Sequence, residues 1–138
     1  MNSIKNLKLC VNILLIGMLM SCNYFGNNEK QNNNIKTTAT VDKQKINLGS
    51  LKRNIPRKCV FTVQNTGKSP LLIQNVETSC GCTLPEWTKH PVKPGKSGEV
   101  RVTYDAEYPG RFHKTITVYA NVESPIRLTV SGEVEFEE

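Results

Sequence analysis

After residue 44 the chain contains short runs in which apolar residues recur at every second position, and this alternation restricts those runs to β-strands. Val100, Val102 and Tyr104 alternate with polar neighbours, and no window shows the helical period of about 3.6 residues. Similar runs lie at residues 46–48, 59–64, 71–76 and 115–120. The last run places five residues on one predicted inward face: Ile126, Leu128, Val130, Val134 and Phe136.

Turn sequences separate these runs. Asn65-Thr66-Gly67 offers a position that tolerates a positive φ, and Pro94-Gly95 and Pro109-Gly110 have the residue order that type II turns prefer. About seven short strands in roughly 95 residues is typical of an immunoglobulin-like sandwich. The sequence therefore predicts an all-β fold, an immunoglobulin-like β-sandwich of about seven strands, over residues 41–138.

The first 21 residues are predicted to be a signal peptide. Lys5 and Lys8 precede a short apolar run, which ends at Leu19-Met20-Ser21-Cys22. This tetrapeptide resembles the lipobox of bacterial lipoproteins, and the resemblance implies cleavage before Cys22 and acylation of Cys22. Several acyl chains on one residue give a stable membrane anchor. The alternative is an ordinary signal peptide with a chance cysteine, for which Leu19 is a poor residue at position −3.

Residues 22–40 are predicted to be a lipidated, flexible tether. The segment is rich in asparagine and has few apolar residues, so it cannot form a hydrophobic core. Asn23, directly after the anchor, is not the aspartate associated with retention in the inner membrane. We therefore expect a lipid anchor in the cell envelope, at the outer membrane and facing the periplasm.

The charge of the chain gives little support for nucleic-acid binding. Eighteen basic and 12 acidic residues give a formal charge of +6, and removing Lys5 and Lys8 leaves 16 against 12, or +4. A small basic cluster at residues 52–58 is interpreted as a solvated turn. We expect no nucleic-acid partner, although a weak attraction to an anionic surface is compatible with this charge.

The unusual motif of the chain is Ser79-Cys80-Gly81-Cys82-Thr83. Together with other segments it resembles the bacterial family catalogued as domain of unknown function 1573. The matching segments are residues 61–67 (FTVQNTG), 70–73 (PLLI) and 79–83 (SCGCT), Pro94-Gly95 with Gly98, Asn121, and residues 128–132 (LTVSG). The resemblance implies an immunoglobulin-like sandwich related to the ASH and PapD-like groups and common in lipoproteins of Bacteroidetes. It implies no activity, because the family has none agreed.

Cys80 and Cys82 are the candidate site, as a disulfide or redox pair, and four interpretations are open. The thiols could form a disulfide that shapes the loop, with Gly81 allowing unusual backbone angles. They could exchange disulfides, although the usual helical setting is missing. They could bind Cu(I) or zinc with His90, and zinc would need His113 or Cys59 as well. Finally, they could simply pack at the end of a strand.

Other residues give weaker signals. Cys59 is in register with apolar neighbours and is predicted to be a buried thiol, although a bridge from Cys59 to Cys80 or Cys82 is open. His113 is predicted to face solvent, and Trp87 to cover the edge of the sandwich or serve as a binding anchor.

The sequence contains no recognisable catalytic signature. We therefore predict a non-enzymatic, membrane-anchored lipoprotein without a cofactor or metal, which binds another envelope protein or has a structural role. The alternative is a thiol redox or metal-handling protein that uses Cys80 and Cys82.

Overall fold

A computed structural model describes residues 35–136, which form eight strands in two sheets. The strands are β1 Ala39–Val41, β2 Lys45–Leu51, β3 Arg57–Asn65, β4 Ile73–Thr78, β5 Thr83–Trp87, β6 Ser97–Tyr104, β7 Gly110–Ala120 and β8 Ile126–Val134. Sheet 1 has the order β1-β3-β6-β5, and sheet 2 has the order β2-β8-β7-β4. The predicted all-β sandwich is confirmed, with eight strands instead of about seven. Among the described residues, no helix has the length and apolarity that a membrane span requires.

The chain changes sheets between its first two strands. β1 pairs antiparallel with the end of β3, whereas β2 pairs parallel with β8 in the other sheet. The remaining pairs are antiparallel, so polar and apolar residues alternate between the outer and inner faces of each sheet. This alternation places the two apolar faces against each other.

The core contains the residues that the alternation predicts. On β3, Cys59, Phe61 and Val63 are buried, which confirms the buried position of Cys59. Tyr104 and Phe112 stack with ring centroids 3.9 Å apart and connect the two sheets. Burial of each large apolar side chain contributes about 1.5–3 kcal/mol to the free energy of folding.

Two strands have no clear signal in the sequence. β1 has three residues and lies partly inside the asparagine-rich segment, and β5 contains Pro85. Both are edge strands. A proline is tolerated at an edge because the missing N–H can face away from the neighbouring strand.

The prediction that Phe136 faces inward is wrong. β8 ends at Val134, and the Phe136 side chain is 74% exposed. The strand alternation cannot be extended beyond the last residue that has a partner strand, because side-chain direction is fixed by the pairing.

The turn predictions have mixed outcomes. Gly95 has φ +76°, and the N–H of Lys96 donates to the carbonyl of Lys93, which confirms the turn at Pro94-Gly95. Gly110 also has a positive φ, of +107°. Gly67 does not adopt a positive φ, so the expected role of this glycine is wrong. A Cβ at Gly67 would lie 2.1 Å from Thr37 Oγ1, so glycine is required there by a close approach.

The domain includes six residues that the sequence places in the tether. The N–H of Thr37 donates to the carbonyl of Asn121, and the Asn121 side-chain amide donates to the carbonyl of Ile35. Residues 35–40 therefore pack on the sandwich. The predictions for the signal peptide, for Cys22 and for the first part of the tether concern residues outside the described range.

Candidate functional site

The Cys80-Gly81-Cys82 segment connects β4 in sheet 2 to β5 in sheet 1. The Sγ atoms of Cys80 and Cys82 lie 1.99 Å apart, at disulfide distance, and the Cα atoms lie 5.4 Å apart. Both residues are half-buried, and Cys82 packs against the core. Of the four interpretations of this motif, the structure has the disulfide arrangement.

Hydrogen bonds hold this loop on both sides. The Thr78 hydroxyl lies 2.9 Å from the carbonyl oxygen of Cys80 and 3.1 Å from that of Thr83. The N–H of Asp105 donates to the carbonyl of Cys82. The loop is therefore fixed to both sheets by backbone groups as well as by the sulfurs.

Gly81 is not required for the reason that the sequence suggested. Its φ lies outside the left-handed region, and a Cβ on Gly81 would contact nothing within 4 Å. The two-residue separation of the cysteines is therefore closed without unusual backbone angles at the central residue.

A neutral hydroxyl group neighbours both sulfurs. The Thr83 hydroxyl lies 3.6 Å from Sγ of Cys80 and 3.9 Å from Sγ of Cys82. A reactive thiol needs a nearby positive charge, a helix N-terminus or a base to lower its pKa, and a hydroxyl supplies none of these.

Other sulfur and nitrogen ligands are not assembled at the loop. In residues 35–136, no group of three or more His, Cys, Asp or Glu side chains is placed to hold a metal ion. Cys59 is a free thiol in the core, and burial raises the pKa of this thiol. His113 lies exposed on β7, opposite Ser131, as the sequence predicted.

Trp87 covers the side of the sandwich where β4 and β5 lie. Its indole N–H donates to the carbonyl of Ile73 across the two sheets, and its ring packs against the core. The Lys89 ammonium lies 3.0 Å from the ring centroid. These contacts agree with a covering role for Trp87. They occupy much of the indole surface that a binding anchor would need for contact with a partner.

Three loops meet at the end of the sandwich that carries the disulfide. They are residues 52–56 between β2 and β3, residues 79–82 between β4 and β5, and residues 105–109 between β6 and β7. The N–H of Asn54 donates to the carbonyl of Ala106, and Arg53 Nε donates to the carbonyl of Glu107. Together with the bond from Asp105 to Cys82, these contacts join the three loops, which we call the loop end.

Two residues of the loop end have backbone conformations that are uncommon for residues other than glycine. Asn54 has φ +57°, and Ala106 has φ +56° while being fully buried. Such residues cost of order 1–3 kcal/mol, persist only where the surroundings fix them, and cluster at functional sites. The loop end is therefore built to hold a defined shape.

The loop end presents apolar side chains to solvent. Ile55 is 59% exposed, Tyr108 is 67% exposed, and Leu84, at the start of β5, is 65% exposed. No sequence motif marks these three residues. One signal in the sequence could have indicated an exposed apolar residue. Ile55 is a single apolar residue in the segment from Lys52 to Lys58, which otherwise consists of turn and charged residues.

The N-terminal segment enters the domain at the opposite end. Ile35 and Thr37 contact Asn121, which follows β7, and Thr37 also contacts Asn65 at the end of β3. The loop end adjoins the starts of β3 and β7. A domain held through its N-terminus thus presents the loop end on its far side.

The two four-stranded sheets, with β1 in sheet 1 and β2 in sheet 2, form an immunoglobulin-like β-sandwich. The family model described as "Protein of unknown function (DUF1573)" matches residues 39–134, so the chain belongs to this family. No curated protein matches the chain.

Solved structures confirm the fold. A protein of unknown function from Porphyromonas gingivalis W83 has 18% identity and a TM-score of 0.63, over 78% of this chain and 51% of its own. PapD-like domain 7 of human CEP192 has 9% identity and a TM-score of 0.64, over 75% and 89%. The Vibrio cholerae VesB protease has 19% identity and a TM-score of 0.56, over 71% and 32%.

These likenesses concern the fold alone. The chain spans about half of the Porphyromonas protein and about a third of the protease. The same sandwich serves unrelated functions, so the activity of a whole neighbouring protein does not transfer to this chain.

Proposed function

We propose that this chain is a non-enzymatic binding module of the cell envelope, anchored by an acylated Cys22 and contacting another envelope protein through its loop end. The lipobox-like sequence before Cys22 supports the anchor. Asn23 after the anchor supports the outer membrane, with the domain facing the periplasm.

The exposed apolar residues of the loop end carry this proposal. Aromatic and aliphatic side chains that are held by a rigid backbone bind at a low cost in conformational entropy. Ile55, Leu84 and Tyr108 are such side chains, and the contact between Asn54 and Ala106 fixes two of the three loops. An apolar group rimmed by charged residues is typical of a protein–protein contact.

Photo-crosslinking in the bacterium that produces the chain tests the proposal. We expect p-benzoylphenylalanine at Ile55 or at Tyr108 to give one discrete adduct of higher mass. The matched control is the same group at Ser124, an exposed residue between β7 and β8 at the opposite end of the domain. Adducts from Ser124 alone, or equal adducts from all three positions, would show that the loop end is not the contact surface.

The disulfide provides the test of the alternative function. We expect the double variant Cys80→Ser, Cys82→Ser to lose no more than about 2 kcal/mol of unfolding free energy, because a ring closed by two neighbouring cysteines removes little chain entropy. The Tyr108 adduct is expected to persist in this variant. Loss of the adduct in a protein with unchanged circular dichroism would instead favour a role that depends on the thiols.

A further inference from the structure

We propose that the open edge of β3 accepts an extended, acidic segment of the partner protein as an additional strand of sheet 1. This inference rests on the proposed binding function and names the chemistry of the segment that is bound. A strand added in this way gains backbone hydrogen bonds from the edge and specificity from the side chains on the outer face.

The edge is open because β1 is short. β3 has nine residues, and β1 pairs with the last three of them, from Val63 to Asn65. The chain then crosses to sheet 2, and the N–H of Asp42 donates to the carbonyl of Thr62. In the described part of the chain, no strand pairs with residues 57–61 on this side of β3.

The backbone groups at this edge point outward. In an antiparallel pair, successive residues direct their N–H and C=O groups to opposite sides. The N–H of Thr62 donates to Asp42 Oδ1, on the side away from β6. The same alternation directs the N–H and C=O groups of Val60 and Lys58 to the open side, where they are available to a further strand.

The side chains at the edge suit a partner that is partly apolar. Val60 lies on the outer face of sheet 1 and is 40% exposed, and Lys58 is exposed beside it on the same face. The loop between β2 and β3 places Ile55 just before this edge. An added strand would therefore be continuous with the apolar side chains of the loop end.

The charges favour an acidic strand. Lys52, Arg57 and Lys58 are exposed, and within residues 35–136 none of the three has an ion-pair partner. At the other end of the edge, Lys43 is 3.7 Å from Asp42. Lys58 lies on the outer face of sheet 1, so carboxylates on that face of the added strand would pair with Lys58 without competing with a carboxylate of the domain. Arg57 and Lys52 add positive charge around the start of the edge.

The other edges are less suitable. The pairing of β2 with β8 shifts between Asn47 and Ser50, and that of β4 with β7 shifts between Ile73 and Asn75. Such irregularities and edge prolines, like Pro85 in β5, are devices that hinder the addition of a strand. By contrast, β3 pairs with β6 without a shift from Arg57 to Gln64.

Amide hydrogen exchange, followed by NMR on the purified chain, tests the inference with the acetylated peptide Glu-Val-Glu-Val-Glu-Val as the probe. With the peptide at ten times its dissociation constant, we expect the Val60 and Lys58 amides to exchange about tenfold more slowly. The peptide Lys-Val-Lys-Val-Lys-Val is expected to give no protection.

Four variants complete the test. Lys58→Glu is expected to abolish the protection, whereas Lys93→Glu, at an exposed lysine in the loop before β6, retains it. Val60→Pro removes the outward N–H and is expected to prevent binding, whereas Val60→Thr keeps the N–H and binds. Unfolding curves establish that each variant is folded.

The outcomes separate this inference from the proposed function. No protection up to the solubility limit of the peptide, or protection at another edge, would overturn the strand addition. Protection that persists in Lys58→Glu would overturn the requirement for acidic residues. If either result is obtained while Ile55 and Tyr108 still give adducts in cells, the proposed binding function stands. The acidic strand at the edge of β3 is then not the way in which the partner binds.

Discussion

Replacing Asn65 with alanine is expected to lower the free energy of unfolding by about 3–4 kcal/mol. The Asn65 side chain is fully buried at the end of β3. Its Nδ2 group donates to the carbonyls of Ser69 and Val92, each at 2.8 Å, and its Oδ1 atom accepts from the Thr37 hydroxyl and from the N–H of Gly67, each at 3.0 Å. Alanine would remove all four bonds. The Val92 carbonyl and the Gly67 N–H keep backbone partners, whereas the Ser69 carbonyl and the Thr37 hydroxyl lose the partner that Asn65 provides. A buried polar group without a partner costs about 1–3 kcal/mol.

Two further substitutions make this measurement specific. Asn65→Asp keeps the shape but places carboxylate oxygens against two carbonyl oxygens, so we expect at least the same loss at neutral pH. Asn75→Ala removes an exposed asparagine whose Nδ2 group donates to Glu77 and is expected to change the free energy of unfolding by less than about 0.5 kcal/mol. Urea unfolding monitored by circular dichroism measures all three. A loss below about 1 kcal/mol for Asn65→Ala would refute the role assigned to its hydrogen bonds.

Replacing Gly132 with alanine is expected to lower the free energy of unfolding by about 2–3 kcal/mol. A Cβ on Gly132 would lie 2.7 Å from Cζ of Phe112 and 2.8 Å from the carbonyl oxygen of Gly49. The Phe112 ring stacks on Tyr104, and Gly49 belongs to β2, which pairs with β8. The added methyl group must therefore displace both a core ring and the backbone of an edge strand.

The control for Gly132 is another glycine of the chain. Gly81→Ala meets no atom within 4 Å and requires no left-handed backbone, so we expect a change of less than about 0.5 kcal/mol. Thermal or urea unfolding of both variants gives the comparison. If Gly132→Ala and Gly81→Ala are equally stable, β2 can move away from β8 without a cost in free energy. The close packing described for Gly132 would then be wrong.

These two residues lie in sequence segments on which the resemblance to the family rests, and they show what those segments do in this fold. Asn65 lies in FTVQNTG and Gly132 in LTVSG, and both act inside the fold. Asn121, another matching residue, accepts from the N–H of Leu72 and donates to the carbonyl of Pro70. The exposed residues Ile55 and Tyr108 lie outside the motifs, so membership of the family identifies the sandwich without identifying its partner.

The prediction of the fold succeeded where side-chain direction is a local property. A strand with one buried face must alternate, so the buried positions of Phe61, Val100 and Val130 can be predicted from their neighbours in the sequence. The prediction failed for β1, β5 and Phe136. An edge strand depends on pairing with a strand distant in the sequence, and Phe136 lies beyond the last paired residue of β8.

For the candidate site, the sequence by itself determined that Cys80 and Cys82 are close and that Cys59 is buried. The tertiary structure decided what surrounds them. Asn54 meets Ala106 only because the sandwich brings two loops together, and the open edge of β3 arises only because the chain leaves sheet 1 after Val41. Alternation depends on adjacent residues and can be predicted from them. Loop contacts and open edges depend on segments that are distant in the sequence or that change sheets, and no local pattern records them.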